Sequence, residues 1–219
     1  MKISVYSPHC DDAVLGCGGS IRKWCKAGHS VSVIYFTDGY SHPPKDRCWH
    51  LEMIAAVEKL GVHRDDVYRL GLKNQRFDEY TLIDINKKIE RLSLDPDIIV
   101  SPTPHDANYD HTVVFRVALV QARPIGKPIC HLSMETLSST EWGGVPFNPE
   151  FYVSLQESDV KAKMSALELF KEEIRPPPHP RNPVGVKIKA QQRGVEAGMF
   201  LAEAFEVIRL ITQPHWCLL

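Results

Sequence analysis

Two short stretches concentrate the residues of this chain that can do chemistry. His9, Asp11 and Asp12 cluster in Ser7-Pro8-His9-Cys10-Asp11-Asp12, and a second group closes the run Pro102-Thr103-Pro104-His105-Asp106-Ala107-Asn108-Tyr109-Asp110-His111. Imidazole nitrogens and carboxylate oxygens are the donors of an open catalytic zinc site, which takes three protein ligands and keeps water in the fourth position. His9, Asp12 and His111 supply such a set and leave Asp11 free beside the metal. A lone histidine is more often structural than a ligand, and an Asp-Asp pair is often only the start of a helix. The two loops taken together favour the metal.

The elements around these stretches must bring them to one place. Short β-rich runs at 3–6, 29–36, 67–70, 97–100 and 128–134 alternate with helical stretches at about 14–27, 47–60, 82–92 and 110–122. Such alternation predicts a parallel sheet covered by helices, a three-layer Rossmann-like α/β/α fold. Both chemical stretches follow a strand, and in that architecture loops at the carboxyl ends of strands line the ligand crevice. Beyond residue 150 the pattern predicts a strand at 151–155 and helices at 157–173 and 187–210, as additional C-terminal strands and helices. Five prolines in the nine residues Arg175–Pro183 exclude regular structure there. They make either a stiff surface connection or a rim to a pocket.

Gly16-Cys17-Gly18-Gly19 invites a dinucleotide-binding reading, but its spacing is not GxGxxG. Two carboxylates also precede it, where a pyrophosphate needs backbone N–H groups and no anions. The glycines serve better to let the first helix approach the sheet closely.

With 219 residues, one domain spanning 1–219 is expected. Lys+Arg 26 against Asp+Glu 27 gives a net charge of −1, which supplies no general field for nucleic acid or anionic lipid. No apolar run approaches the ~18–20 residues of a membrane span. The opening Met1–Tyr6 enters a strand at once, without a signal-peptide core, and the six cysteines form no CxxC pair. A cytoplasmic protein with reduced thiols is expected.

Pro8-His9-Cys10-Asp11-Asp12-Ala13-Val14-Leu15-Gly16-Cys17-Gly18-Gly19 resembles the P-H-x-D-D-x-x-L-G-x-G-G signature of the PIG-L/LmbE-like zinc deacetylases. Asp110-His111 is similar to the end of that family's second motif, and Arg193-Gly194 through Ala202-Glu203-Ala204-Phe205 to its C-terminal block. Thr37-Asp38-Gly39, Glu52 with Leu60-Gly61, and Ser138-Ser139-Thr140-Glu141-Trp142 add matches in order along nearly the whole chain.

The resemblance implies zinc ligated by His9, Asp12 and His111, with Asp11 as general base, and hydrolysis of the N-acetyl group of an N-acetylglucosamine-type sugar. It also implies self-association. The family's second motif often reads H-x-D-H, whereas this chain has Asn108-Tyr109-Asp110-His111. Asn108 cannot act as an imidazolium acid, but its amide N–H can donate to a developing oxyanion. Asp110 is expected to steady the second loop or a neighbouring donor, which completes the catalytic candidates Asp11, Asn108 and Asp110. Arg47, near a position where relatives use an arginine toward substrate, together with Trp142, His179 and Arg181, are the candidates for substrate contact, against surface or structural roles for each.

Two other classes stand beside this reading. A nucleotide-dependent Rossmann-type enzyme would fit the alternation of elements, and bound nucleotide would reveal it. A non-catalytic metal- or sugar-binding protein would ordinarily close the fourth metal position, and acetate release from N-acetylated sugars separates it from an enzyme.

Overall fold

The computed structural model describes residues 1–37, 39 and 49–212; Arg47 lies outside the described residues. Seven strands form one sheet: β1 (Lys2–Ser7), β2 (Ser30–Thr37), β3 (Val67–Leu72), β4 (Ile98–Pro102), β5 (Cys130–Met134), β6 (Phe151–Ser154) and β7 (Ala202–Arg209). Six helices accompany them: α1 (Asp12–Lys26), α2 (Trp49–Glu58), α3 (Leu82–Glu90), α4 (Tyr109–Gln121), α5 (Glu157–Leu167) and α6 (Pro183–Glu196). The sheet order is β3-β2-β1-β4-β5-β7-β6; the first five strands run parallel, and β7 is antiparallel to both of its neighbours. Among the described residues no helix is long and apolar enough to cross a membrane.

The central strands are buried along nearly their whole length because both sheet faces are covered. Ile3, Val5, Val33, Tyr35 and Val100 face a core completed by Ile21 of α1, Val57 of α2, Val160 of α5 and Val186 of α6. Tyr6, Ile34, Phe36 and Ile99 face the opposite core, with Ile85 of α3 and Val114 and Val117 of α4. This is the three-layer α/β/α arrangement expected from the alternation of elements.

Strand order decides where a site can form. From β1 the chain winds through β2 to β3 on one side, whereas β4 and β5 lie on the other, so the winding reverses between β1 and β4. Crevices open at the carboxyl ends of strands at such a switch point. Val5 is the register partner of Val100, which makes the loops after Ser7 and Pro102 neighbours.

The glycines of the first helix act as expected. A Cβ on Gly16 would stand 2.5 Å from Met134 Sδ and 3.1 Å from the Glu135 carbonyl oxygen, so a larger residue would force α1 off the sheet. At Cys17 the helix breaks (φ −140°, ψ 26°). Just beyond the break, the N–H groups of Gly19 and Ser20 donate to the two Glu203 carboxylate oxygens at 2.9 and 2.6 Å. Lys163 closes the arrangement at 2.6 Å from Glu203. The C-terminal motif thus caps the second half of the helix that the N-terminal motif begins.

Two sequence expectations change. The helix expected over 187–210 is helix only to Glu196; Ala202–Arg209 is strand β7, inserted between β5 and β6. Gly198, at φ +68°, turns the chain in a conformation costly for other residues, and backbone pairing on both sides overrides the helix propensity of Ala-Glu-Ala. The helix expected over 157–173 ends at Leu167, where Phe170 turns into the core.

Candidate active site

The loop after β1 is braced internally. Ser7 Oγ donates to the His9 carbonyl at 2.7 Å and accepts the Ala13 N–H at 2.9 Å, and Asp12 Oδ2 accepts the His9 N–H at 2.7 Å. Asp12 therefore opens α1 with its carboxylate turned back over His9. The loop after β4 ends in Asn108, whose Oδ1 accepts the Asp110 N–H at 2.9 Å and caps α4. His111 thus stands in the first turn of that helix.

Three donor atoms from the two loops meet. His9 Nδ1 lies 3.1 Å from Asp12 Oδ2, His111 Nε2 lies 3.2 Å from the same oxygen, and the two ring nitrogens are 3.2 Å apart. Neighbouring ligands of a tetrahedral cation, bonded at about 2.0–2.1 Å, stand about 3.3 Å apart. The triangle fits such an ion and leaves a fourth position for a small molecule. All three residues are buried.

Each outer ring nitrogen also faces a carboxylate. His9 Nε2 is 3.0 Å from Asp110 Oδ2, and His111 Nδ1 is 3.2 Å from Asp106 Oδ2. A carboxylate behind each imidazole fixes its proton on the far nitrogen and turns the near one toward a metal. Asp110 also takes the Phe77 N–H at 3.1 Å, tying in the loop after β3. Asp106 accepts from Ser139 Oγ, from Thr140 Oγ1 at 2.7 Å and from the Asn108 N–H at 2.8 Å. Sequence reasoning misses Asp106, although a second carboxylate in the same loop as a ligand histidine is an available signal.

The electrostatics follow from this packing. Burial alone would depress the His111 imidazole, but Asp12 and Asp106 hold it up at about 10. His9 is raised in the same way by Asp12 and Asp110 against its burial. Burial favours a neutral Asp12, yet the two imidazoles hold its carboxyl well below the usual range. Protons or a cation can therefore balance the site's negative charge, and a metal would displace protons on entering.

Asp11 stands outside the donor triangle. It is 2% exposed, and its Oδ2 has no hydrogen-bond partner among the described residues. Burial pushes its carboxyl up to about 6, against the pull of Arg181 and with help from the Asp12 charge. Arg181 Nη1 stands 3.6 Å away from Asp11 Oδ2 and pairs with Glu173, while Arg181 Nε donates to Ser138 Oγ at 2.9 Å.

A cavity of about 420 Å³ opens over the cluster, lined by Asp11, Asn108, Gln75, Arg181 and the three donor residues among others. The proline-rich segment is a strap on its rim, closed by the Arg175 N–H to Arg181 carbonyl bond at 3.0 Å. Its Arg181 reaches the cavity, whereas the His179 ring accepts the Arg181 N–H at 3.2 Å and packs edge-on against Trp142 at 5.6 Å. Neither of those rings lines the cavity. Tyr109 is 61% exposed. Arg193 forms a bidentate pair with Glu135, both contacts 2.7 Å.

A family model described as PIG-L, GlcNAc-PI de-N-acetylase, matches residues 5–122. The chain is 28% identical over 170 residues to an uncharacterised deacetylase, YaiS, of Escherichia coli K12, covering 74% of this chain and 86% of that one. It is similar in fold to the N,N'-diacetylchitobiose deacetylase of Pyrococcus horikoshii, with a TM-score of 0.73, 18% identity, and 94% and 83% of the two chains covered. It is equally similar to GalB, the 4-carboxy-2-hydroxymuconate hydratase of Pseudomonas putida KT2440, with a TM-score of 0.74, 18% identity, and 98% and 99% covered. At such identities the likeness establishes the fold and leaves the reaction to be argued from the site.

Proposed function

The chain belongs to the PIG-L, GlcNAc-PI de-N-acetylase family, and from that premise we propose that it is a divalent-metal-dependent hydrolase, using zinc, that removes the N-acetyl group of an N-acetylglucosamine-type sugar. The observation that carries this reading is Asp11, a buried carboxylate whose Oδ2 accepts no hydrogen bond among the described residues, beside a three-donor triangle of ligand spacing.

His9, Asp12 and His111 would hold the metal. When bound, such a cation polarises the acyl oxygen and lowers the pKa of water to about 7. Asp11 accepts a proton from the water that adds to the acyl carbon. It then returns that proton to the nitrogen as the C–N bond breaks, giving acetate and a free amine, so one carboxyl serves as base and acid in turn. Arg181, anchored by Glu173 and Ser138, offsets the burial of Asp11 and keeps the carboxylate available at neutral pH. Asp110 and Asp106 hold the two imidazoles in the ligating tautomer.

The test is acetate release from a panel of N-acetylglucosamine compounds by protein loaded with zinc, with metal content measured on the same sample. Release that stops on chelation and returns with the metal is expected. Equal release by the chelated protein contradicts the proposal.

A further inference from the structure

Gln75 sits in the turn after β3 with φ of +59°, in the left-handed region that side-chain-bearing residues seldom adopt. Surroundings that hold a residue there mark positions where the direction of a side chain matters. This one lines the same cavity as Asp11 and the ligand triangle.

The hydrogen-bond network fixes which end of the amide faces inward. Asn108 Oδ1 is committed to the Asp110 N–H, so its Nδ2 is the outward end and donates to Gln75 Oε1 at 3.4 Å. With Oε1 used in this way, Gln75 Nε2 faces His9 Nε2 at 3.3 Å. That ring nitrogen also lies 3.0 Å from Asp110 Oδ2, the stronger acceptor, which favours its proton there. With that proton directed at Asp110, the His9 nitrogen offers the Gln75 N–H no acceptor. Gln75 is exposed and lines the cavity, so its amide N–H opens toward the space a substrate would fill, where a developing acyl oxyanion can accept it.

We infer that Gln75 donates to the oxygen of the scissile N-acyl group and that Asn108 positions Gln75 without touching the substrate. This rests on the deacetylase reading above and names the donor within it. Gln75 gives up no proton: its N–H stabilises the negative oxygen while the tetrahedral carbon exists and is released when the carbonyl re-forms. Asparagine at 108 is thereby explained, since one end of its amide caps the helix and the other holds the glutamine.

Three variants isolate the claim. Gln75→Glu keeps an oxygen for Asn108 but replaces the donor with an acceptor, and Gln75→Ala removes both. Asn108→Ser preserves a helix-capping oxygen and loses only the amide N–H. Both Gln75 variants should lower kcat for acetate release by about 10²–10³-fold, with KM changed only a few-fold and metal content unchanged. Asn108→Ser should cost less and should add nothing in the Gln75→Ala background. A full further loss in that double variant, or wild-type kcat in Gln75→Glu, overturns the inference.

A second readout uses chelated protein titrated calorimetrically with N-acetylglucosamine, where Gln75→Glu should bind about 2–10-fold more weakly than wild type. Absence of wild-type binding, or equal affinity in the variant, also overturns it. If that binding contrast holds while no N-acetyl sugar yields acetate, the deacetylase reading fails and Gln75 is left as a donor to a bound N-acetyl oxygen, with no part in a reaction. Acetate release unaffected by Gln75→Glu does the opposite: the deacetylase reading stands and the donor assignment fails.

Discussion

The Asp110 carboxylate reaches His9 Nε2 at 3.0 Å across 101 positions of sequence, while its second oxygen holds the Phe77 N–H at 3.1 Å. One side chain thus joins the loops after β1, β3 and β4 at the point where the winding of the sheet reverses. Asp110→Asn retains the size of the group but removes the charge that orients the His9 ring. Metal affinity should fall about 10–100-fold in chelator competition, the usual effect of losing such a partner.

Asp11 is buried, yet it neither ligates nor caps the helix it precedes. Asp11→Asn should therefore reduce acetate release by at least about 10²–10⁴-fold, the range for general acid–base catalysis. Thermal stability should not fall, because burial disfavours the Asp11 charge by more than the Arg181 ion pair offsets. Wild-type turnover in this variant contradicts the base assignment.

Lys163 and Glu203 form a buried pair, about 6% and 5% exposed, beside the break in α1. Glu203→Gln strands the lysine charge and weakens the cap on Gly19 and Ser20. Urea unfolding should show a loss of about 3–5 kcal/mol. In a Lys163→Met background the same change should cost markedly less, because no buried charge is then left unpaired.

His131 is fully buried against Ser101 and Phe115. Burial, with a smaller push from Arg209, lowers its imidazole to about 4. In the unfolded chain the ring titrates near ~6.5. Between those values the unfolded chain binds a proton that the folded chain refuses, so stability rises with pH. The contribution is present in full above about 6.5 and is lost as the pH falls toward 4. Unfolding curves over this window should be less pH-dependent in His131→Asn than in wild type, and identical slopes contradict the assignment.

The alternation of apolar strands and amphipathic helices made the parallel half of the sheet legible, since its four inner strands are buried on both faces and declare themselves locally. Strand β7 was not legible in this way. Ala202–Arg209 favours helix by composition, and only pairing with β5 and β6, remote in sequence, makes it a strand. The meeting of His9, Asp12 and His111 could be read because these residues are chemically distinctive and follow neighbouring strands. The residues that orient them were harder to see. Asp106 looks like any loop aspartate until Ser139 and Thr140 close around it. Gln75 has no chemistry of its own, and only its backbone conformation and its neighbours give its amide a direction.

Metal stoichiometry by elemental analysis, compared across wild type, Asp11→Asn, His111→Ala and Asp12→Asn, tests the central claim most directly. Wild type and Asp11→Asn should each carry one divalent ion per chain, and the other two should carry far less under the same dialysis. Loss of the ion in Asp11→Asn, or its undiminished retention in both His111→Ala and Asp12→Asn, would contradict a site in which His9, Asp12 and His111 ligate while Asp11 stands aside.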